Sequence, residues 1–543
     1  MHHKKSIVTS LFLIAGIEVF AQQKPTSNDT TIKNSTIEIS QIYQPKIKEA
    51  VKETINPTLP QQDIVTPEYK YVVPTQNLNY AYKPQPLQAL AMGTDTTYKG
   101  FHHYVKAGLG NKRTIYIDAS LGNWAKKNLV TNAHFGLLSQ KGELAYQKQT
   151  LGVFNVESAY SKNSLKAGIK LDASHSNFFQ YGFDEKLLPN KIATRQTLSG
   201  GTLGVNAMKN HNDSLGFHSV FASLGFYTGN NISNETSASI GFLSGRNLGD
   251  GLNGKLGING VSTHLNSEFY SVTNAYISLK AGIDFTQDIF TFHGYLIPTI
   301  GQNNNAFLLH DMEGKFHFAD AQLNVGAGTK GSLIQNTYQQ LFNTNPYISQ
   351  FKSTQTHSDE VFAFIEKGFG HHLTLSGKVS WWKYENLATF LNQPIGDNEK
   401  MMVYYVPKTN ALSSQFEMRY QIGNTISVGA QFIIFKYSNI LGSGRIWQTP
   451  TRRLNGDFQW NPIPELNFNA YGAYVSGSYA LDSNLNEIKL KAFIDLGFGA
   501  EYLAMKKLSF FINCNNLLNN KYQRWNGYQA YGINIYGGLR LKF

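Results

Sequence analysis

From Phe101 to the chain end, apolar and polar residues alternate in short runs broken by Gly and Asn. The final run is the clearest: Ile533, Ile535, Gly537, Leu539, Leu541 and Phe543 fall on one side, and Asn534, Tyr536, Gly538, Arg540 and Lys542 on the other. A period of two is that of a β-strand with one apolar and one polar face. The same split separates Leu508, Phe510, Ile512 and Cys514 from Ser509, Phe511, Asn513 and Asn515. It recurs in Phe416–Ile422, Ile426–Ile434 and Leu454–Trp460.

These runs predict about 22 strands between Phe101 and Phe543, with 14 to 18 as the smaller alternative. Short connections at Phe369-Gly370-His371, Ile422-Gly423-Asn424, Asn461 to Pro464 and Met505-Lys506-Lys507 alternate with long ones near 353–357, 385–411, 438–451, 481–487 and 519–528. Short turns at one end, long loops at the other and wet, partly charged inner positions predict an all-β fold: a transmembrane antiparallel outer-membrane β-barrel. Aromatics at Trp381-Trp382, Trp460, Tyr502 and Phe543 fit an interfacial girdle. A sheet in hydrocarbon must close on itself, because each unpaired backbone group there costs several kcal/mol.

The start of the chain reads differently. Lys4 and Lys5 precede an apolar run from Ile7 to Phe20, and Val19-Phe20-Ala21 ends on a small residue. This predicts a secretory signal peptide over 1–21, cleaved between Ala21 and Gln22. Residues 22–99 are dense in proline: eight of the sixteen prolines precede residue 100. Proline removes a ladder donor, so 22–99 predicts an irregular periplasmic arm with one short helix around Ile47 to Thr54, and 100–543 the barrel.

Composition narrows the class. Charged residues are 15% and aromatics 13%, with 48 Gly and 1 Cys. A single cysteine excludes a disulfide scaffold and a multi-cysteine zinc site. The net charge of +12 suits anionic lipid surfaces or anionic solutes, and no aromatic–basic nucleic-acid module is found.

Asn516-Leu517-Leu518-Asn519-Asn520-Lys521-Tyr522, Gly527-Tyr528 and the closing run Asn534 to Phe543 resemble the C-terminal end of TonB-dependent receptor barrels. The turns Met505-Lys506-Lys507 and Pro462-Ile463-Pro464 are similar to that family's periplasmic turns. Gly108-Leu109-Gly110-Asn111 and Tyr43-Gln44-Pro45-Lys46-Ile47 look like a plug-less branch common in Bacteroidota. The resemblance implies a 22-stranded barrel in the outer membrane of a Gram-negative bacterium. The chain departs from it in its front part: 22–99 is too short and too proline-rich for that family's plug, and it shows no convincing energy-coupling box, the nearest candidate being the short apolar patch Thr36-Ile37-Glu38-Ile39-Ser40. The resemblance therefore bears on the barrel and its location rather than on plug-driven import. A wide barrel needs occlusion, by the arm, by loops near 174–195, 332–357 and 385–411, or by a partner.

Candidate chemistry is sparse. Lys378, Glu417, Arg419 and Asp457 lie on the polar sides of their runs and are the expected lumen-facing charges that set solute selectivity. Phe543, in register with the last apolar face, is the expected C-terminal insertion signal. His102-His103 and His371-His372 lack further metal ligands in matching geometry. His357-Ser358-Asp359-Glu360 is the densest set of hydrolase-type residues, though such sets are common at loop–strand junctions. Gly108-Leu109-Gly110 and Gly200-Gly201-Thr202-Leu203-Gly204 precede no helix, so they do not form phosphate loops. The expected function is a channel or receptor-like transport protein without a full plug, not an enzyme, with no cofactor. The alternative is a non-transporting accessory or structural subunit of an outer-membrane complex, docking a periplasmic or outer-membrane protein through 22–99. Outer-membrane lipid and, during biogenesis, the insertion machinery are the other expected partners.

Overall fold

The computed structural model describes residues 103–126, 128–182, 195–210, 216–392, 400–482 and 485–543. The signal segment with its Ala21/Gln22 boundary, the 22–99 arm, the helix expected at Ile47 to Thr54, the Thr36–Ser40 box and His102 lie outside the described residues. Twenty-two strands among the described residues pair into one antiparallel sheet. Each pairs with its neighbour in sequence, and the first, His103–Gly110, pairs with the last, Asn534–Lys542, with Val105 opposite Leu541. The sheet has no free edge, as a hydrocarbon environment demands. The fold is that of an outer-membrane β-barrel.

Side chains sort by parity. Val105, Leu109, Ile115, Leu539 and Leu541 point out and are exposed. The inner face is identified by contacts that only a concave surface permits. Tyr116, Gly108, Gly538 and Phe511 form one register row across four strands. Three strand spacings, roughly 14 Å, separate the outer two, yet the Tyr116 and Phe511 rings meet with centroids 5.9 Å apart. Bare glycines in between make this possible: a Cβ on Gly108 would stand 2.7 Å from Phe511 Cζ and 2.8 Å from the Gly537 carbonyl oxygen.

The expected connections need correction in three places. Strand Leu373–Asn392 runs on to Asn392 and Met401–Ile422 begins at Met401, so most of 385–411 is paired sheet rather than loop. A spanning strand needs only about 9–11 residues, and these two keep pairing beyond that length. The connection placed near 353–357 is instead 336–354 and holds a short helix, Tyr338–Thr344. The turn placed at Asn461 to Pro464 is only 464–465, because Ile463 still pairs with Leu466.

Candidate functional site

The long connections fold over their end of the barrel. Tyr181 follows strand Leu165–Phe179, Tyr347 lies in 336–354, and Tyr528 lies between strands Leu508–Asn515 and Asn534–Lys542. These three connections leave the rim about a third of the circumference apart. A barrel of this size is roughly 40 Å across, from strand spacing and tilt. Even so, the three tyrosines form one stack. Tyr347 and Tyr528 lie parallel, 3.5 Å between centroids at 12°, and Tyr181 stands edge-on to both at 5.3 and 6.1 Å. The Tyr181 hydroxyl donates to the Gln529 carbonyl at 2.7 Å, and Gln147 Nε2 donates to the same oxygen at 2.9 Å.

Around the stack is an apolar core containing Leu198, Tyr338, Leu341, Phe342, Ile348, Phe351 and Met401. The helix feeds this core, burying Tyr338, Leu341 and Phe342. Thr337 caps it, accepting from Gln340 N at 3.1 Å. Glu235, at the rim, accepts from Gln339 N at 3.0 Å and from Tyr338 N. Asn231 donates to the Ile348 carbonyl at 2.9 Å. Further connections lock in: Asn526 Nδ2 donates to the Leu481 carbonyl at 3.0 Å, and Asn526 N to Gln448 Oε1 at 3.2 Å. The long-loop end is thus spanned by a lid with a core of its own.

Lys378, Glu417, Arg419 and Asp457 lie on three strands of one four-strand stretch of the wall, Leu373–Asn392, Met401–Ile422 and Arg452–Ile463. Lys378 is opposite Gln415 and forms an ion pair with Glu360 at 2.7 Å. Gln415 Nε2 donates to Glu417 at 2.7 Å, and Gln431 Nε2 donates to the same oxygen. Arg419 and Asp457 share a row through Gly429, over whose bare Cα the Asp457 carboxylate leans. Elsewhere, several inner charges pair: Glu501 receives Lys106 at 3.2 Å and Arg540 at 3.0 Å, and Lys170 meets Asp172 at 3.0 Å.

Beside the charged patch the wall turns aromatic. Phe362, Ser380, Ser413 and Phe435 form one row; Glu360, Trp382, Ala411 and Tyr437 form the next. Trp382 and Tyr384 lie nearly parallel at 5.5 Å, as do Phe435 and Tyr437 at 5.8 Å. Trp382 Nε1 donates to Ser413 Oγ at 3.0 Å. Inner rings occur elsewhere too, as at Tyr116, Phe511, Phe221 and Tyr295, where they lie over or beside cross-strand glycines.

The other candidates do not converge. His357 approaches Asp359 at 3.5 Å, while Ser358 points to the opposite face and bonds Ser332 at 2.8 Å, so no serine–histidine contact forms. His372 Nδ1 pairs with the Gln421 carbonyl oxygen at 2.9 Å. Phe543 N donates to the His103 carbonyl at 3.0 Å, joining the last residue to the first strand. Reading the sequence placed occluding loops near 174–195, 332–357 and 385–411 but passed over the helix Tyr338–Thr344. Its sequence signal was Thr337-Tyr338-Gln339-Gln340, the spacing of a helix capping box ahead of Leu341-Phe342.

No family model and no curated protein matches the chain. Solved structures do. The FrpB iron transporter of Neisseria meningitidis (F3-3 variant) aligns with a TM-score of 0.63 at 11% identity, over 81% of each chain. The siderophore receptor PirA of Acinetobacter baumannii gives 0.61 at 10% identity, over 81% of this chain and 80% of that one. A point mutant of the ferric enterobactin receptor PfeA of Pseudomonas aeruginosa gives 0.60 at 12%, over 81% and 80%. At such identities the likeness is one of fold. The chain shares the barrel of receptors and transporters.

Proposed function

We propose that the chain is an outer-membrane solute receptor and transporter of a Gram-negative bacterium, kept shut at its long-loop end by the lid and admitting solute when the lid parts. The observation that carries this is the Tyr181–Tyr347–Tyr528 stack: three connections from separate points on the rim meet in one apolar core. A simple porin has no use for such a core, because an open mouth serves it better. The fold shared with iron and siderophore receptors supports the reading. Lys378, Glu417, Arg419 and Asp457 are proposed to face passing solute and tune its selectivity. Phe543 is proposed to serve as the insertion signal.

Planar-bilayer conductance of the folded protein tests the lid. The wild type is expected to stay silent, and a Tyr347→Ala/Tyr528→Ala variant to show discrete openings. Steady large conductance by the wild type would overturn the closed lid. Silence of both proteins would favour the accessory subunit that never conducts.

A further inference from the structure

We propose that the aromatic sector of the inner wall is a binding track for an oligosaccharide of uronic acids. This rests on the reading of the barrel as solute-handling and names the solute class. The rings are the first requirement of such a site. A sugar ring has apolar C–H faces that lie against aromatic faces, and its hydroxyls both donate and accept. Phe362, Phe364, Trp382, Tyr384, Phe435 and Tyr437 share the inner face of three strands, separated by the small residues Ser380, Ala411 and Ser413.

Some inner aromatics have a purely structural explanation. Phe362 and Phe364 lean over Gly328 and Gly326, as Phe511 does over Gly108. Covering a cross-strand glycine stiffens a sheet and calls for no ligand. Trp382, Tyr384, Phe435 and Tyr437 have no such glycine beneath them, so these four carry the proposal. An apolar patch in a compartment filled by water is costly unless something covers it.

Size and charge choose the ligand. The four rings span two strand spacings, roughly 10 Å, which is too long for one ring and fits about two sugar residues. Arg453 is opposite Ile433 on the next strand, beside Phe435 and Tyr437 along the same face. It is exposed, and no carboxylate pairs with it among the described residues. Arg419 has no such pair there either, whereas Lys378 is already matched by Glu360. A planar guanidinium fork is suited to a carboxylate. Gln415 and Gln431 along the edge, and the Tyr384 and Tyr437 hydroxyls, offer partners for sugar hydroxyls. A single aromatic acid would use one ring and one cation and leave most of the track bare.

Calorimetric titration of the folded barrel in detergent tests this. The ligands are trigalacturonate, trimannuronate, maltotriose and 2-naphthoate, each added to the wild type and to the Tyr347→Ala/Tyr528→Ala variant so that entry past the lid is not limiting. At least one uronate trimer is expected to saturate, with maltotriose at least five-fold weaker. Trp382→Leu is expected to weaken the uronate at least ten-fold. Arg453→Gln should weaken it at least five-fold and leave maltotriose unchanged. Tyr384→Phe keeps the ring and controls for folding, which heat-modifiable gel mobility checks for every variant; it should cost two- to five-fold. The proposal fails if neither uronate binds, if naphthoate or maltotriose binds as tightly, or if Trp382→Leu and Arg453→Gln leave uronate binding unaltered. Conductance is a separate readout, so failure here leaves the lid result standing.

Discussion

Gly108 and Gly538 show how much one missing Cβ can decide. They lie side by side in the row that joins the first and last strands, and rings from either flank close over them. Added bulk would collide with Phe511 and with backbone carbonyls, so Gly108→Val is expected to lose about 1–3 kcal/mol, the usual cost of overpacking. Urea titration of the heat-modifiable form measures it. Gly204→Ala, whose Cβ would meet nothing closer than 3.9 Å, is the matched control and should stay near wild type. At this scale the sequence was partly legible. Alternation assigned Lys378, Glu417, Arg419 and Asp457 to one side of their strands, but not the cross-strand offsets that gather them. Those offsets are set by pairing register, which depends on turn geometry and on partners far away in the chain. Ser358 and His357 illustrate the reverse: neighbours in sequence, they are sent to opposite faces.

Among elements, the helix Tyr338–Thr344 and the loops it packs with are the part that reading strands alone left out. A helix of seven residues cannot stand alone; it persists because three of its side chains are buried and its first turn is capped twice, by Thr337 and by Glu235. Thr337→Ala is expected to destabilise the helix by about 0.5–2 kcal/mol, seen as faster amide exchange over 340–344 while strand amides stay protected. A second loop contact titrates. Glu143, in the 142–147 connection, bridges Lys112 at 2.8 Å and Lys521 at 3.4 Å, and these bonds and charges hold its carboxyl below the ordinary range. A depressed folded value means the contribution is present above the unfolded pKa and lost as pH falls through the folded one. Exchange at 519–521, corrected for the intrinsic pH dependence, should therefore accelerate as pH falls through that depressed folded value. Glu143→Gln should show the fast rate already at neutral pH.

For the whole molecule, strand number, antiparallel order and the alternation of short and long connections were legible, because a membrane repeats one simple demand on every strand: oily outside, wet inside. The occluding loops were legible as long connections, but not how they meet, since loops obey no such period and their partners lie several strands away. The span 385–411 differs from expectation because its two strands keep pairing past the length a bilayer needs, and their ends bury Phe390, Met401, Val403 and Val406. The outward face gives a sharp test. Phe416 is exposed midway between Leu412 and Ile422, while Gln415 beside it points inward. Phe416→Arg is expected to cost about 2–4 kcal/mol and Gln415→Arg close to none, compared by refolding titration into lipid vesicles.

The bond from Phe543 to His103 ties the end of the chain to its beginning. An unfinished copy, short of its last strand by nine residues, would have every other hairpin ready and still present two raw edges. The earlier strands must then be held, open on one side, until the closing strand reaches its place beside the first.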